Sequence, residues 1–139
     1  MSVGARTYGD VVSYPVEDGL ELDDSGYVLA VDANNRLTLA DDGDEPFAVN
    51  YINTEDQDGI VQELDEGDQL DSVRHSPGFE LRCEDEEFDL NDSVYTSASE
   101  DGLVTTTSTG EYVGRVVEAV DHSGASGNEG HVLVAFSFD

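Results

Sequence analysis

Hydrophobic residues along this chain occur in short runs that are rich in β-branched and aromatic side chains and that end at Gly, Asp, Asn or Pro. This pattern is typical of strands joined by tight turns. The run from Tyr27 to Val31 is followed by a turn at residues 32–35 and by a second run from Arg36 to Leu39, which predicts a β-hairpin. Other runs predict strands at residues 47–52, 79–83, 94–96, 103–107, 112–120 and 131–138.

The strands recur about every ten residues, a spacing found in small β-barrels and sandwiches. Helical periodicity is nearly absent, and one candidate helix runs from Gln57 to Leu64. We therefore expect an all-β fold, a small barrel or sandwich built from hairpins, with at most one short helix. The 139 residues and the 37% hydrophobic content favour one domain at residues 21–139, preceded by an extended N-terminal arm at residues 1–20.

Two stretches of the chain, residues 24–52 and 92–120, resemble copies of one unit. Each begins with an Asp-Ser pair that leads into a strand, at Asp24 and at Asp92, and each has a later glycine, Gly43 and Gly110, before another strand. The offset between the two is roughly 67 residues throughout. A duplicated β-meander within one domain would give this pattern, and so would chance similarity among strands bounded by Gly and Asp.

The chain carries 33 acidic residues against five arginines and no lysine, for a formal net charge of −28. Such charges repel one another strongly in dilute buffer, whereas about 1 M salt shortens the screening length to about 3 Å. The composition indicates a protein that works in very salty water, from an extreme halophile or a virus that infects one. It also argues against nucleic acid as a partner, because binding to a phosphate backbone needs a basic surface.

Neither a membrane nor an export route is expected for this chain. No run approaches the roughly 18 consecutive apolar residues of a membrane span. The N-terminus also lacks the charged and apolar regions of a signal peptide. We expect the protein to be made and assembled in the cytoplasm.

The acidic residues are unevenly distributed, and residues 1–16 contain only one acid, Asp10, and one base, Arg6. In so acidic a chain, an uncharged segment has reason to pack against something. Two arrangements remain open: an arm that docks on a partner, or a first strand of the chain's own domain. The residues that we expect to dock are Tyr8, Val11, Val12 and Tyr14.

A second region with few acids runs from Leu103 to Gly110 and contains five hydroxyl residues in a row. Threonine is favoured in strands. This tract is therefore expected to form an edge strand that pairs with a neighbouring subunit through Thr105 and Thr107, or else a plain polar strand. The last predicted strand, residues 131–138, is also free of acids.

Acidic clusters at residues 41–45 and 56–59 resemble fragments of a calcium loop, but neither has the full spacing with a terminal glutamate. The cluster at residues 84–87 is interpreted as a solvated loop. Neither a metal nor another cofactor is expected.

Residues suited to catalysis do not form a recognisable motif. The three histidines, His75, His122 and His131, are scattered without zinc-ligand spacing. The single cysteine, Cys83, lies among acids that raise a thiol pKa, which is the wrong direction for a nucleophile. We expect that the protein is not an enzyme.

The second half of the chain resembles the small capsid decoration, or cement, proteins of tailed double-stranded DNA viruses. The motifs that carry the resemblance are Asp92-Ser93-Val94-Tyr95, Asp101-Gly102-Leu103-Val104, the run from Gly110 to Val116, and Gly130-His131-Val132-Leu133-Val134. The resemblance covers residues 24–136 and is closest after residue 91. It implies a compact β-domain that forms trimers on the outside of an icosahedral shell, often with an N-terminal arm that adds to capsid strands.

Taken with the charge, this resemblance predicts a structural virion protein of a haloarchaeal tailed virus. Its expected location is the capsid exterior, and its expected partners are the major capsid protein and itself, as a homotrimer. The alternatives are another virion part, such as a turret base or a tail protein, and a cellular halophilic β-domain that acts as a binding module.

Overall fold

A computed structural model of the protein describes residues 5–7, 11–17, 19–51, 62–64 and 68–138. All the regular structure in these ranges is β, so the predicted all-β class is confirmed. The strands are β1 (Ala5–Thr7), β2 (Val11–Pro15), β3 (Leu20–Leu22), β4 (Val28–Val31), β5 (Leu37–Leu39), β6 (Ala48–Asn50), β7 (Gln62–Leu64), β8 (Gln69–Val73), β9 (His75–Arg82), β10 (Glu87–Phe88), β11 (Ser93–Thr96), β12 (Val104–Thr105), β13 (Tyr112–Glu118), β14 (Val120–Asp121) and β15 (His131–Ser137).

Most of these strands belong to two antiparallel sheets. A six-stranded sheet has the order β1-β9-β15-β13-β11-β12, and a five-stranded sheet has the order β2-β8-β6-β4-β5. The pairs β3-β7 and β10-β14 form two smaller sheets.

The middle strands of the five-stranded sheet, β6 and β4, are buried on both faces. Along β4, Val28 and Ala30 belong to a core shared with Phe79 and other residues of the six-stranded sheet, whereas Leu29 faces a second core that includes Leu22 of β3. Burial on both faces explains why the sequence of β4 is a continuous apolar run. The six-stranded sheet, in contrast, alternates buried and accessible residues along β13 and β15, so one of its faces is open.

The two similar stretches of sequence have the same strand pairing. In the first, β4 pairs with both β5 and β6, and in the second, β11 pairs with both β12 and β13. The next neighbours also correspond, because β6 pairs with β8 and β13 pairs with β15. That the two meanders arose by duplication stays a prediction.

Strand β2, which contains three of the four N-terminal docking candidates, pairs with β8 of the same chain, from Val11 opposite Val73 to Pro15 opposite Gln69. This is the arrangement of a strand within the chain's own domain. The fourth candidate, Tyr8, lies outside the described residues.

The short helix considered for residues 57–64 is wrong at its C-terminal end. Residues 62–64 form β7, which pairs with β3. Residues 57–61 lie outside the described ranges.

Candidate functional site

The side of the six-stranded sheet that faces away from the core is here called the outer face. Strand pairing defines it, because residues directly opposite each other on neighbouring strands point to the same side. Arg115 in the middle of β13 lies opposite Ala135 of β15 on one side and opposite Ser93 of β11 on the other. Val116, the next residue, is fully buried on the other face.

The middle of the outer face carries no carboxylate. The residues at its centre and along the adjoining groove are His75, Pro77, Ser93, Tyr95, Tyr112, Arg115, Ala135 and Ser137. Among the strand residues that the structure describes on this face, Glu80 and Glu118 lie towards one end, opposite Leu133. In a chain with 33 acids among 139 residues, an area whose described residues include no acid is a feature of the surface that needs a reason.

Large apolar groups are exposed on the same face. Tyr112 is 53% exposed and Val117 is 38% exposed. The ring of Tyr112 makes an edge contact with Tyr95, with centroids 6.0 Å apart. Exposed tyrosines together with an arginine are typical of binding sites, since tyrosine rings supply apolar contact area and their hydroxyls remain able to form hydrogen bonds.

A groove of about 370 Å³ lies at one end of the outer face, across β9, β15 and β13. Its lining consists of apolar, hydroxyl and imidazole groups, among them His75, Tyr112 and Ala135, and includes no acid. A second pocket, of about 420 Å³, is lined instead by Glu21, Asp23, Tyr27, Leu39, Glu100 and Asp101. Because a carboxylate is costly to remove from water, the groove on the outer face is the easier of the two to dehydrate on contact.

Arg115 is exposed and forms no ion pair with any residue that the structure describes. Two other arginines are engaged within the fold. The Nε of Arg74 donates to the backbone oxygen of Phe47 at 3.0 Å, and Arg82 is buried. An exposed arginine without a carboxylate partner is unexpected in a chain of this composition.

Three of the predicted docking residues, Val11, Val12 and Tyr14, lie elsewhere, in β2 of the five-stranded sheet. Tyr14 and Val12 are half-buried. The hydroxyl of Tyr14 donates to the Oδ1 of Asn35 at 2.8 Å, and its ring lies 4.9 Å from that of Phe47. Tyr14 is therefore engaged within its own domain.

The predicted threonine tract does form an edge, since β12 is the last strand of the six-stranded sheet. Thr105 is buried, however, and its hydroxyl donates to the Oε2 of Glu86 at 2.5 Å. The backbone N–H and the hydroxyl of Thr106 donate to the other oxygen of the same carboxylate. Thr107 is exposed beside them.

The interpretation of residues 84–87 as a solvated loop is wrong for its first three members, which are only half-exposed. Glu84 accepts a hydrogen bond from Ser97. The backbone N–H of Asp85 donates to the Oδ1 of Asn128 at 2.9 Å, and the Oδ2 of Asp85 accepts from the N–H of Asn128 at 3.1 Å. These carboxylates hold neighbouring loops in place.

Arg82 is the centre of a buried polar network. Strand alternation would place it on a wet face, but it is only 6% exposed. Its guanidinium donates to the hydroxyl of Tyr27 at 3.0 Å and to the backbone oxygen of Asn128 at 2.8 Å, and Asp24 lies 3.7 Å away. The Nε2 of His131 is 2.8 Å from the same Asp24 carboxylate. The network thus joins residues 24–27 to Asn128 and to His131 of β15.

The ionisation of Asp24 follows from this network. Partial burial raises the pKa of its carboxyl group, but the hydrogen bond and the charge of His131, the N–H of Ser25 and the charge of Arg82 together outweigh burial. The pKa of Asp24 is therefore lowered, and its charged form is favoured in the folded protein.

Cys83 is fully buried, and burial together with the nearby charge of Glu86 raises the pKa of its thiol to about 12. The direction is the one expected from the sequence. In the described part of the chain, no group of three or more His, Cys, Asp or Glu side chains is arranged to hold a metal ion. No helix in that part is both long and apolar enough to cross a bilayer.

Comparison with known families finds no family model that matches the chain, and no curated protein is significantly similar to it. The choice of the outer face as the candidate site therefore rests on its geometry alone. From the sequence, the absence of acids at residues 131–138 pointed to β15. The sequence alone did not place Tyr112 and Arg115 on this face, because their position depends on the register between β13 and its neighbours.

Proposed function

We propose that this protein is a non-enzymatic decoration protein that docks on the outside of the capsid of a haloarchaeal tailed virus. The observation that carries the proposal is the partly apolar outer face, whose described residues include no acid at its centre, on a chain with a net charge of −28. The resemblance of residues 92–134 to capsid decoration proteins supplies the class of partner, which is the major capsid protein together with further copies of this chain.

The proposed environment of strong salt gives a reason for the contact with the capsid to be made through the outer face. Hydrated carboxylates keep an acidic surface soluble in strong salt, but they oppose contact because each has to be desolvated or paired. A face with tyrosine, valine, alanine and serine loses its water at little cost, and its apolar area contributes about 25 cal/mol per Å² buried.

Stabilisation of the shell would follow from multivalency. A decoration oligomer that contacts several capsid subunits makes its later contacts at high effective concentration, so weak individual contacts combine into firm attachment. Such attachment would hold neighbouring capsid subunits together against the pressure of packaged DNA. The acid-poor N-terminal segment would add to these contacts through the predicted docking residue Tyr8.

A co-sedimentation experiment tests the proposal. DNA-free capsids would come from the virus whose major capsid gene neighbours the gene for this protein, and binding would be measured in about 2 M salt, where surface charges are screened. We expect the protein to sediment with capsids, and Ala135→Glu on the outer face to reduce binding at least tenfold. Ala33→Glu, which adds the same charge to an exposed turn, is the matched control. If the unmodified protein stays in the supernatant, the decoration function is wrong.

A second candidate function, a cellular binding module, is favoured by one observation. Tyr112 is exposed beside a groove, an arrangement that suits a carbohydrate or an extended peptide. A stable monomer without affinity for capsids would favour this function. A gene position beside tail or turret genes would instead favour another virion part.

A further inference from the structure

We infer that the groove at the end of the outer face binds an extended segment of the capsid protein in which a carboxylate and an apolar side chain stand two residues apart. Arg115 pairs with the carboxylate, and the groove takes the apolar side chain. This inference rests on the proposed function, because that function supplies the capsid as the partner. It adds the chemistry by which the outer face recognises that partner.

Arg115 lies directly beside the groove. It follows Gly114, which lines the groove, and it is opposite Ala135, another residue of the lining. The Cβ atoms of residues that face each other on neighbouring strands are about 4.5–5.5 Å apart. A ligand that contacts Ala135 is therefore within reach of the Arg115 guanidinium.

The charge of the site favours an anionic group on the ligand. Arg115 is exposed and has no ion pair among the described residues, and the lining of the groove includes no acid. A free guanidinium can donate two parallel hydrogen bonds to one carboxylate. A partner carboxylate that approached an acidic surface, such as the exposed turn at residues 41–45, would instead be repelled.

The proposed environment points to the same group. Because the capsid is exposed to the same strong salt, we expect its surface to be rich in carboxylates as well. Strong salt weakens an ion pair least where the pair is partly buried and in direct contact. A carboxylate that binds Arg115 while its neighbours cover the groove meets that condition.

The groove itself suits an apolar side chain. Its volume of about 370 Å³ is near the lower end of the roughly 300–1,000 Å³ of ligand sites, so it has room for side chains but not for a folded element. Ala135 and Ser137 of β15 form its middle, and His75 and Tyr112 flank them on β9 and β13. An apolar side chain placed between these flanks displaces water, which contributes about 25 cal/mol per Å² buried.

The spacing of two residues follows from the width of the groove. Neighbouring strands are about 4.8 Å apart, so the distance from β9 to β13 is roughly 10 Å, the length of three extended residues. In an extended segment, side chains two positions apart point to the same side. One such side chain can enter the groove while the other reaches Arg115.

Peptide titration tests this chemistry without the capsid. The probes are acetyl-Ser-Glu-Ser-Leu-Ser-amide and acetyl-Ser-Leu-Ser-Glu-Ser-amide, each compared with a counterpart in which Gln replaces Glu. Binding is followed by heteronuclear NMR in about 1 M KCl, where general repulsion is screened. We expect the backbone amide signals of Gly114, Ala135 and Ser137 to shift, and at least one Glu peptide to bind at least threefold more tightly than its counterpart.

Variants of Arg115 assign the preference to its guanidinium. Arg115→Gln should abolish the preference for Glu, and Arg115→Lys should keep part of it. Ala33→Glu, which changes the net charge by the same amount as Arg115→Gln, should leave the preference unchanged. Absence of the shifts, equal binding of the Glu and Gln peptides, or a preference that persists in Arg115→Gln would each overturn the inference.

Co-sedimentation of the same variants with capsids keeps this inference apart from the proposed function. We expect Arg115→Gln to weaken capsid binding at least fivefold and Ala33→Glu to leave it unchanged. If the unmodified protein binds capsids but shows no preference for the Glu peptides, the inference is wrong and the decoration function stands. If it prefers the Glu peptides but does not bind capsids, the decoration function is wrong and the ligand chemistry of the groove stands.

A second copy of this chain is the other occupant that the experiment can reveal. Sedimentation equilibrium of the unmodified protein and of Arg115→Gln, without capsids, measures self-association. If Arg115→Gln changes the association state but binds capsids as tightly as the unmodified protein, a second copy occupies the groove and the inference is wrong.

Discussion

Asp24 is the residue whose charge the fold stabilises most clearly, because His131 and Arg82 both face its carboxylate. Its pKa in the folded protein lies below the usual 3.8. An unfolded aspartate therefore binds a proton more readily, so the stabilisation is complete above the ordinary pKa and is lost as the pH falls through the folded-state pKa.

We expect Asp24→Asn to lower the free energy of unfolding by about 1.5 kcal/mol at pH 7, the low end of the range for a hydrogen bond to a charged group, because the side chain of Asp24 is 31% exposed. The difference from the unmodified protein should shrink below about pH 4, where the carboxylate itself becomes protonated. Urea unfolding at pH 7, 5 and 3 measures this difference. Asp42→Asn, at an exposed position, is the control. If the difference in free energy of unfolding between Asp24→Asn and the unmodified protein stays constant down to pH 3, the charge of Asp24 does not have the role assigned to it.

Cys83 should be almost unreactive in the folded protein. Its thiol is fully buried and its pKa is raised to about 12, so little thiolate exists at pH 8 and reagents do not reach it. We expect a disulfide reagent to modify it more than about a hundredfold more slowly in 3 M KCl than in denaturant. Modification at the same rate in both solvents would show that the residue is accessible.

The sequence predicts the direction of the Cys83 pKa shift but not the burial of Arg82, because it shows only the effects of sequence neighbours. The acids that raise the pKa of Cys83 include its sequence neighbours, so their effect is visible from composition. The partners of Arg82 are Tyr27, Asp24 and Asn128, which are distant in sequence and meet only after folding. A buried arginine requires such partners, and strand alternation alone does not reveal them.

At the scale of the element, the acidic loop that connects β9 to β10 is held by its own carboxylates. Glu86 accepts hydrogen bonds from Thr105 and Thr106 and so fixes the edge strand β12. We expect Glu86→Ala to lower the free energy of unfolding by about 2 kcal/mol, since it leaves buried hydroxyl and N–H donors without an acceptor.

The neighbouring acid provides the matched control for that variant. Glu87 is exposed, and Glu87→Ala removes the same charge without removing these bonds. We expect it to change stability by less than about 0.5 kcal/mol. Urea unfolding in strong salt compares the two variants, and equal effects would show that charge removal, rather than the hydrogen bonds to the threonines, matters at this loop.

The sequence predicted strands at β4, β5, β6, β11, β13 and β15, because β-branched runs and Asn- or Gly-containing turns are local signals. Strands β3, β8 and β10 were not predicted. The hairpin of β4 and β5 around residues 32–35 is found where the sequence places it. Residues 62–64 were misjudged because a three-residue strand that depends on pairing with β3 has too short a pattern to distinguish it from a helical turn. The side of the six-stranded sheet that stays open could not be predicted, since it depends on how the two sheets pack.

At the scale of the whole molecule, the net charge of −28 sets the conditions under which the fold is stable. The described acids that form specific hydrogen bonds, such as Asp24 and Glu86, contribute to stability, whereas exposed clusters such as residues 41–45 mainly repel one another. Asp101 shows this repulsion directly, because slight burial and the charges of Asp41, Asp44 and Asp42 raise its pKa.

The fold should therefore depend on salt. At about 10 mM salt the screening length is about 30 Å, comparable to the size of the domain, so nearly every pair of carboxylates contributes to repulsion, whereas at about 1 M salt only contacts within about 3 Å do. Expansion of the chain relieves this repulsion, and typical folding free energies of about 5–15 kcal/mol leave little margin against it.

We expect dialysis from about 3 M KCl to about 10 mM to unfold the protein or to dissociate its oligomers, as followed by far-UV circular dichroism and sedimentation. Sucrose at matched water activity separates charge screening from the general strengthening of hydrophobic burial, because sucrose is excluded from the protein surface but does not screen charge. An unchanged spectrum and sedimentation coefficient in dilute buffer would show that the paired carboxylates and the two cores outweigh the repulsion, and the assignment to a salty environment would then lose its physical basis.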